Sequence, residues 1–278
     1  MGKTPPPGFN ADRMMPVFYL FCAPLFSLGS RFRKGEGALL GLTVFLDWLY
    51  PSAVPMVYTA FLAAAGLAVM YGLNDIHDAP TDLYDPGRVA TWVRTLAERQ
   101  GYAYLLNGAY SLILLWFAWR ISVDHLFAVS AALVLSAVYN LAAKGRPGLD
   151  LLIVFLWGPA FIHAYCPAAP FRLALAAGFM LAMNHAFQMY RDRSTDAAAG
   201  ISTTAVYSPR LQSASYYVAT AGTAVAFLTD GFVWAAVMAT AGVCVVGFGG
   251  FSRQAWLTLK VTQVIAWLCT LLPRIFLF

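Results

Sequence analysis

The sequence predicts an all-α membrane protein, a single bundle of nine transmembrane helices. Three observations carry that expectation. Of the 278 residues, 60% are hydrophobic and 11% charged, against about 25% charged in soluble domains. Apolar segments approaching the roughly 20 residues needed to cross a bilayer recur along the whole chain. The basic residues collect in alternate connections between those segments, as the positive-inside rule requires. Mean hydropathy is +0.65, so the surplus of apolar side chains fits a chain whose solvent is lipid.

Taken in order, residues 1–13 hold three consecutive prolines and few apolar side chains. They lack the ordered n-region, h-region and cleavage site of a signal peptide, and a disordered cytosolic tail is expected. Residues 14–30 are apolar but carry Pro16 and Pro24, and Arg31-Phe-Arg-Lys34 follows. Keeping these charges in the cytosol stops 14–30 from crossing, so an interfacial or re-entrant segment is expected there. The domain organisation is then 1–30 as tail plus interfacial segment and 31–278 as one transmembrane domain. The first span is 38–50, extended by 31–37 and closed by Pro51 and Pro55. Further spans are expected at about 56–73, 102–119, 125–143, 151–166, 171–189, 213–229, 231–250 and 255–277.

With the 74–101 connection in the cytosol, Arg88, Arg94, Arg99, Lys144, Arg146, Arg191, Arg193, Arg210 and Arg253 all fall inside. Arg120, Arg172 and Arg274 fall near the outer side. The N-terminus is then cytosolic and the C-terminus external. A ten-span count would put a basic cluster outside or break the alternation. The net charge of +5 belongs to these loops, and no nucleic-acid-binding motif accompanies it. Cys22, Cys166, Cys244 and Cys269 are scattered in apolar surroundings without a CxxC spacing, and buried structural thiols are expected.

The chemistry concentrates in residues 71–88, where Asp75, Asp78, Asp82, Asp85 and Asn74 follow the apolar run 56–73. If that run continues as a helix, Asn74, Asp78 and Asp82 repeat every four residues and Asp75 joins their face. Adjacent carboxylates raise each other's pKa and need a cation to stay ionised together. Oxygen ligands at this density suit a hard ion such as Mg²⁺, which keeps waters and is often shared with substrate phosphates. A solvated acidic loop at a helix end is the commonplace alternative. Against it, Tyr190-Arg-Asp-Arg-Ser-Thr-Asp196 ends another apolar segment and sets Asp192 and Asp196 four apart, in a chain with only 13 acids. The span count places both acidic ends on the same side of the membrane.

These residues resemble the UbiA-type intramembrane prenyltransferases. Asn74-Asp75-x-x-Asp78-x-x-x-Asp82 is similar to that family's NDxxDxxxD motif. Asp192-x-x-x-Asp196, with the following Ala-Ala-Ala-Gly-Ile-Ser-Thr-Thr-Ala-Val, resembles its second aspartate motif. Tyr139-Asn-Leu-Ala-Ala-Lys144-Gly-Arg146-Pro-Gly-Leu-Asp150 resembles the loop between its fourth and fifth helices. The resemblance covers roughly 31–278. It implies a nine-helix bundle around a central cavity open to the membrane. It also implies Mg²⁺-dependent ionisation of a prenyl diphosphate and transfer of the prenyl group to a lipophilic, membrane-resident acceptor. Metal binding would fall to Asn74, Asp75, Asp78, Asp82, Asp192 and Asp196, holding two or more Mg²⁺ ions bridged by diphosphate. Catalysis would centre on Asp75, Asp78, Asp192 and Asp196, with Asn74, Lys144, Arg146 and Arg88 as diphosphate contacts.

The chain also departs from the family pattern. Arg88 matches the usual Arg-Pro run only loosely. Pro80 lies inside the first motif, where a kink or helix end would carry Asp82 off the shared face. Ser194 stands where the second motif usually has its middle acid, which would weaken the second metal site. His77, a poor Mg²⁺ ligand, is expected as a hydrogen-bond or acid–base group. Asn184, His185 and Gln188 below Asp192, together with Tyr139, are pocket candidates, because polar groups at membrane depth are costly unless they face a cavity or a partner. Asn107, Tyr110, Trp157 and His163 are weaker candidates, and His125 is expected at the outer boundary. The loop sequences look most like a lycopene-elongase branch, whose Asn-Pro-Arg-Lys-Gly-Gly run is missing. A UbiA-type terpene cyclase, using the same metal site without a separate acceptor, is the alternative reading. A non-catalytic lipid-binding or scaffold protein is the third.

Overall fold

The structure, a computed structural model, describes residues 11–33, 38–83, 91–198, 200–252, 254–263 and 265. Helices make up its regular structure, with no strand among the described residues. They are α1 (Ala11–Arg33), α2 (Ala38–Leu49), α3 (Met56–Asp82), α4 (Thr91–Glu98), α5 (Gln100–Ile121), α6 (Val123–Val138) with a π-helical turn at Tyr139–Ala143, α7 (Leu149–Tyr165), α8 (Phe171–Ala198), the single turn α9 (Thr204–Tyr207), α10 (Pro209–Thr229) and α11 (Val233–Gly249). Residues 254–263 continue as helix α12.

Met56–Asp82, Gln100–Ile121 and Val123–Ala143 are long and apolar enough to cross a membrane. Large apolar side chains stay exposed along α5 and α6, among them Leu105, Leu112, Trp116, Phe127 and Val134. Apolar faces of this extent have no stable place in water, and the chain is an integral membrane protein.

The N-terminal boundary differs from expectation. Arg31 does not open the first span: it lies in the last turn of α1, one helix with Pro16 and Pro24 inside it. A division at residue 30 therefore cuts through a helix. Helix α1 packs on α3, α4 and α5, and its Leu20 and Ala23 share a small apolar cluster with Ile76, Ala79, Val93, Leu96 and Ala103. Pro24 has no N–H to offer the helix ladder. Beside it, the Tyr110 hydroxyl donates to the Phe21 carbonyl at 2.8 Å.

Pro80 does not end α3, which runs on to Asp82. A proline at this position removes the donor for the Ile76 carbonyl. Gln100 Nε2 donates to that carbonyl instead, at 2.9 Å, so the buried acceptor stays satisfied and the helix continues.

Helix α8 is the hub, packed on α7 on one side and α10 on the other. At Gly158 and Gly178 the α7 and α8 backbones touch: a Cβ on Gly158 would sit 2.6 Å from the Gly178 nitrogen. Small residues allow such close approach where no hydrophobic force drives helices together in lipid. Phe161, Phe187, Tyr216 and Trp256 fill the adjoining core. The cysteines depart from expectation in part. Cys166 is buried, Cys22 is half-buried and Cys244 is exposed, because it lies on the outer face of α11, where lipid rather than protein surrounds a thiol. Cys269 lies outside the described residues.

Candidate active site

The two acidic helix ends open onto one cavity of about 660 Å³. Asn74, Asp75, Asp78 and Asp82 from α3 line it, as do Asp192 and Asp196 from α8. Helical order gives the cavity a polar end and an apolar end. Met70 precedes Asp78 by two turns on α3, Met180 precedes Asp192 by three turns on α8, and Trp157 follows Asp150 by two turns on the reversed α7. Leu39, Met70, Ile153, Val154, Trp157, Met180 and Leu181 form the apolar wall.

At the polar end two α3 carboxylates, Asp75 and Asp78, meet cations from elsewhere in the chain. Arg31 Nη2 lies 2.7 Å from Asp75 Oδ1. Lys144 Nζ donates to both oxygens of Asp78. Asn74 Nδ2 donates to Asp78 Oδ2 at 3.0 Å, fixing that carboxylate in the shared face. On α8, Arg191 grips Asp192 in bidentate fashion at 2.8 and 3.0 Å, and Thr203 Oγ1 approaches Asp196 at 3.5 Å. Asp75 and Asp78 side chains are 12% and 17% exposed, so these charges sit at a wetted mouth and not in a dry core.

The π-helical turn delivers Lys144. One extra residue per turn is a frequent device at functional sites. Here Tyr139, Asn140, Lys144 and Gly145 all line the cavity. The loop that follows is clasped to the segment after α8. Asp150, 1% exposed, accepts from the Thr204 N–H at 3.0 Å and from its hydroxyl at 2.5 Å. Gly148 N–H donates to the same hydroxyl at 2.7 Å. The two loop motifs that looked separate in the sequence are thus halves of one brace.

Two expected site residues, Arg146 and His77, fall elsewhere, and Ser194 faces away from the site. Arg146 is exposed and does not line the cavity: Gly145, at φ +77°, turns the chain so that only Lys144 points in. His77 also lies outside the cavity lining, its Nδ1 3.2 Å from the Tyr104 hydroxyl of α5. At 100° per residue it stands about 120° from the centre of the carboxylate face, a displacement the sequence spacing already contained. Ser194 is exposed and sits about 200° around α8 from Asp192. An acid at that position would point away from the Asp192 face. Arg88 lies outside the described residues.

Tyr139, Asn184, His185 and Gln188 do line the cavity. Asn184 Oδ1 accepts from Gln263 Nε2 of α12 at 3.2 Å, and His185 Nε2 lies 3.1 Å from the Tyr139 hydroxyl. Of the weaker candidates, Trp157 lines the cavity and donates to the Met70 sulfur at 3.2 Å, whereas Asn107, Tyr110 and His163 do not line it. His125 lies at the α5–α6 turn, where its N–H donates to Ser122 Oγ at 3.1 Å.

Sequence reasoning missed Arg31, counted only as a loop charge, and Lys260. Lys260 lines the cavity from α12 with Nζ 4.2 Å from the Trp256 ring centroid. A lone lysine inside an apolar segment was the available signal. The acidic donors are all oxygens, but among the described residues no three His, Cys, Asp or Glu side chains converge as a ready-made metal cage. Arg31, Lys144 and Arg191 meet the charge of Asp75, Asp78 and Asp192.

Sequence comparison finds no protein-family model and no curated protein that matches the chain. Solved structures do match. A UbiA homologue from Archaeoglobus fulgidus bound to GPP and Mg²⁺ superposes with a TM-score of 0.66 at 16% identity, covering 91% of this chain and 98% of that one. The same homologue bound to DMAPP and Mg²⁺ gives 0.61 at 19% identity, covering 91% and 86%. A digeranylgeranylglyceryl phosphate synthase gives 0.63 at 12% identity, covering 91% and 96%. The structural neighbours of this chain are UbiA homologues, and the fold it shares with them extends over nine-tenths of its length.

Proposed function

We propose that the protein transfers a prenyl group from an isoprenoid diphosphate to a lipophilic acceptor held in the membrane, with Mg²⁺ as cofactor. The observation that carries this reading is the polarity of one cavity. Carboxylates of two helices, with Lys144 and Arg31, stand at one end, and an apolar wall forms the other. That matches a ligand with a multiply charged head and a hydrocarbon tail. The ligands bound by the UbiA homologue from Archaeoglobus fulgidus, GPP or DMAPP with Mg²⁺, have this form.

The donor set fits the metal. Asn74, Asp75, Asp78, Asp82, Asp192 and Asp196 offer hard oxygens of the kind Mg²⁺ takes. Mg²⁺, when bound, supplies the positive charge that makes diphosphate a leaving group. The chain's own residues do the rest. A diphosphate competes for Lys144 and Arg31, which frees Asp78 and Asp75 to act as ligands. Asn74 keeps the Asp78 carboxylate oriented during that exchange. Leu39, Met70 and Trp157 exclude water from the tail and from the allylic cation that ionisation leaves. The Asp150–Thr204 brace holds Lys144 and Asp196 on the same mouth.

The bundle of nine spans, with the N-terminus and the acidic mouth in the cytosol, belongs to this proposal. A cysteine introduced by Ser252→Cys should react with an impermeant reagent from the cytosolic side, and reaction from outside would reverse the orientation. The function is tested by offering dimethylallyl, geranyl, farnesyl and geranylgeranyl diphosphates in turn with Mg²⁺, with and without lipophilic acceptors, and identifying products by mass spectrometry. A prenylated acceptor supports transfer. Cyclic hydrocarbon formed without an acceptor would assign a terpene cyclase instead, and no diphosphate release under any condition would sink both.

A further inference from the structure

Any such reaction must dispose of a proton, and the cavity holds a pair of side chains placed to take it. Tyr139 and His185 both line the cavity, from the π-helical turn after α6 and from α8 respectively. The Tyr139 hydroxyl lies 3.1 Å from His185 Nε2, and the rings meet edge-on at 5.4 Å between centroids and 79° between planes. The contact ties together segments 46 residues apart, so it is fixed by packing and is not a local accident. His185 precedes Asp192 by seven residues, which puts it about 10 Å from the carboxylate mouth along α8. Tyr139 precedes Lys144 by five. The pair thus sits below the diphosphate end, beside the first part of a tail that enters there.

Its neighbours sharpen the point. At the cavity mouth Asp75, Asp78 and Asp192 are engaged by Arg31, Lys144 and Arg191, Thr203 approaches Asp196, and Asp150 is held by Thr204. Next to His185, Asn184 is occupied by Gln263. Among the described cavity-lining residues, His185 is the one imidazole. An imidazole nitrogen can accept a proton, and a tyrosine hydroxyl can donate and accept at once.

We propose that Tyr139 and His185 form the proton-accepting relay that ends the reaction, an inference that rests on the prenyl-transfer reading above. The C1–O bond of the prenyl diphosphate breaks and its electron pair leaves on the diphosphate. An acceptor π pair forms the new C–C bond, leaving a cation on the acceptor. The electron pair of an adjacent C–H bond restores the double bond. The proton released passes to the Tyr139 oxygen as the Tyr139 proton passes to His185 Nε2. The imidazolium then returns its proton to the departing diphosphate or to water. Tyr139 meets the substrate, and His185 acts through it.

The test uses the full-length protein in phosphatidylglycerol-containing vesicles with geranylgeranyl diphosphate and Mg²⁺, in arms containing 4-hydroxybenzoate, lycopene or no acceptor. The arm with the highest wild-type turnover is used. Two quantities are read: diphosphate release, and the ratio of proton-lost product to prenyl alcohol formed by water capture. His185→Gln and Tyr139→Phe should each keep diphosphate release within about threefold while lowering the product ratio at least about tenfold. The double variant should lower it no further, as expected for residues acting as a unit. An unchanged ratio in both single variants, with release intact, would assign proton removal to the diphosphate itself and end the proposal alone. Loss of release in a folded variant would assign the pair to ionisation and also end it. If His185→Gln fails to fold, Tyr139→Phe, which removes one oxygen and keeps the ring, decides the question. Absence of release by the wild type in every arm would instead remove the prenyl-transfer reading beneath it.

Discussion

The two acidic helix ends look alike in sequence and are built differently. At α3, charge is met from far away: Arg31 comes 44 residues before Asp75 and Lys144 comes 66 residues after Asp78. At α8, Asp192 is gripped by its own neighbour Arg191, and Asp196 approaches Thr203 seven residues on. The α3 end therefore joins α1, α3 and the π-helical turn across the cavity mouth, while the Arg191–Asp192 and Thr203–Asp196 contacts of the α8 end join residues close in the chain. Replacing an α3 acid both removes a ligand and strands a cation from another element. Replacing Asp192 removes a ligand and leaves Arg191 partly exposed, where it is easily hydrated.

The difference sets an order of effects. Removing divalent cations with EDTA should bring turnover to background, with recovery on adding Mg²⁺; full turnover in excess EDTA would contradict the metal role at both ends. Asp78→Asn should lower turnover by about a thousandfold and Asp192→Asn by about a hundredfold, in the range found for losing groups that meet developing charge. Equal losses, measured with the same prenyl diphosphate, would mean that the long-range bracing of α3 has no catalytic weight. Asp150→Asn should destabilise the protein by about 2 kcal/mol, since its amide group cannot accept from both Thr204 donors. A melting temperature in detergent matching the wild type would show that the brace contributes nothing. Arg146→Ala and Ser194→Asp should each change turnover by less than about twofold, because both side chains lie outside the cavity. A large effect of Ser194→Asp would mean that α8 turns its other face to the site when ligand binds.

Much of the α3 end was legible because its logic is local. A spacing of three and four residues puts Asn74, Asp75, Asp78 and Asp82 on one face of any helix that runs through them. The same arithmetic puts His77 and Ser194 off those faces, although one lies among the motif residues and the other at the motif's middle position. Pro80 departs from expectation for another reason. Whether a proline ends a helix depends on whether the freed carbonyl finds a new donor, and Gln100, twenty residues on, supplies it to Ile76. Arg31 was hidden because its meaning lies in Asp75, and a loop arginine by itself looks like a topological charge.

The sequence alone determined the helices, their apolar faces and the two acidic ends, since hydrophobic burial and helical periodicity act over a few residues at a time. Tertiary structure alone decided which cation meets which carboxylate, that Lys144 turns into the cavity while Arg146 turns out, and that His185 and not His77 faces it. Those outcomes depend on how helices far apart in the chain settle against each other. A hydrogen bond of 3 Å between residues tens of positions apart leaves no periodic trace in the chain that makes it.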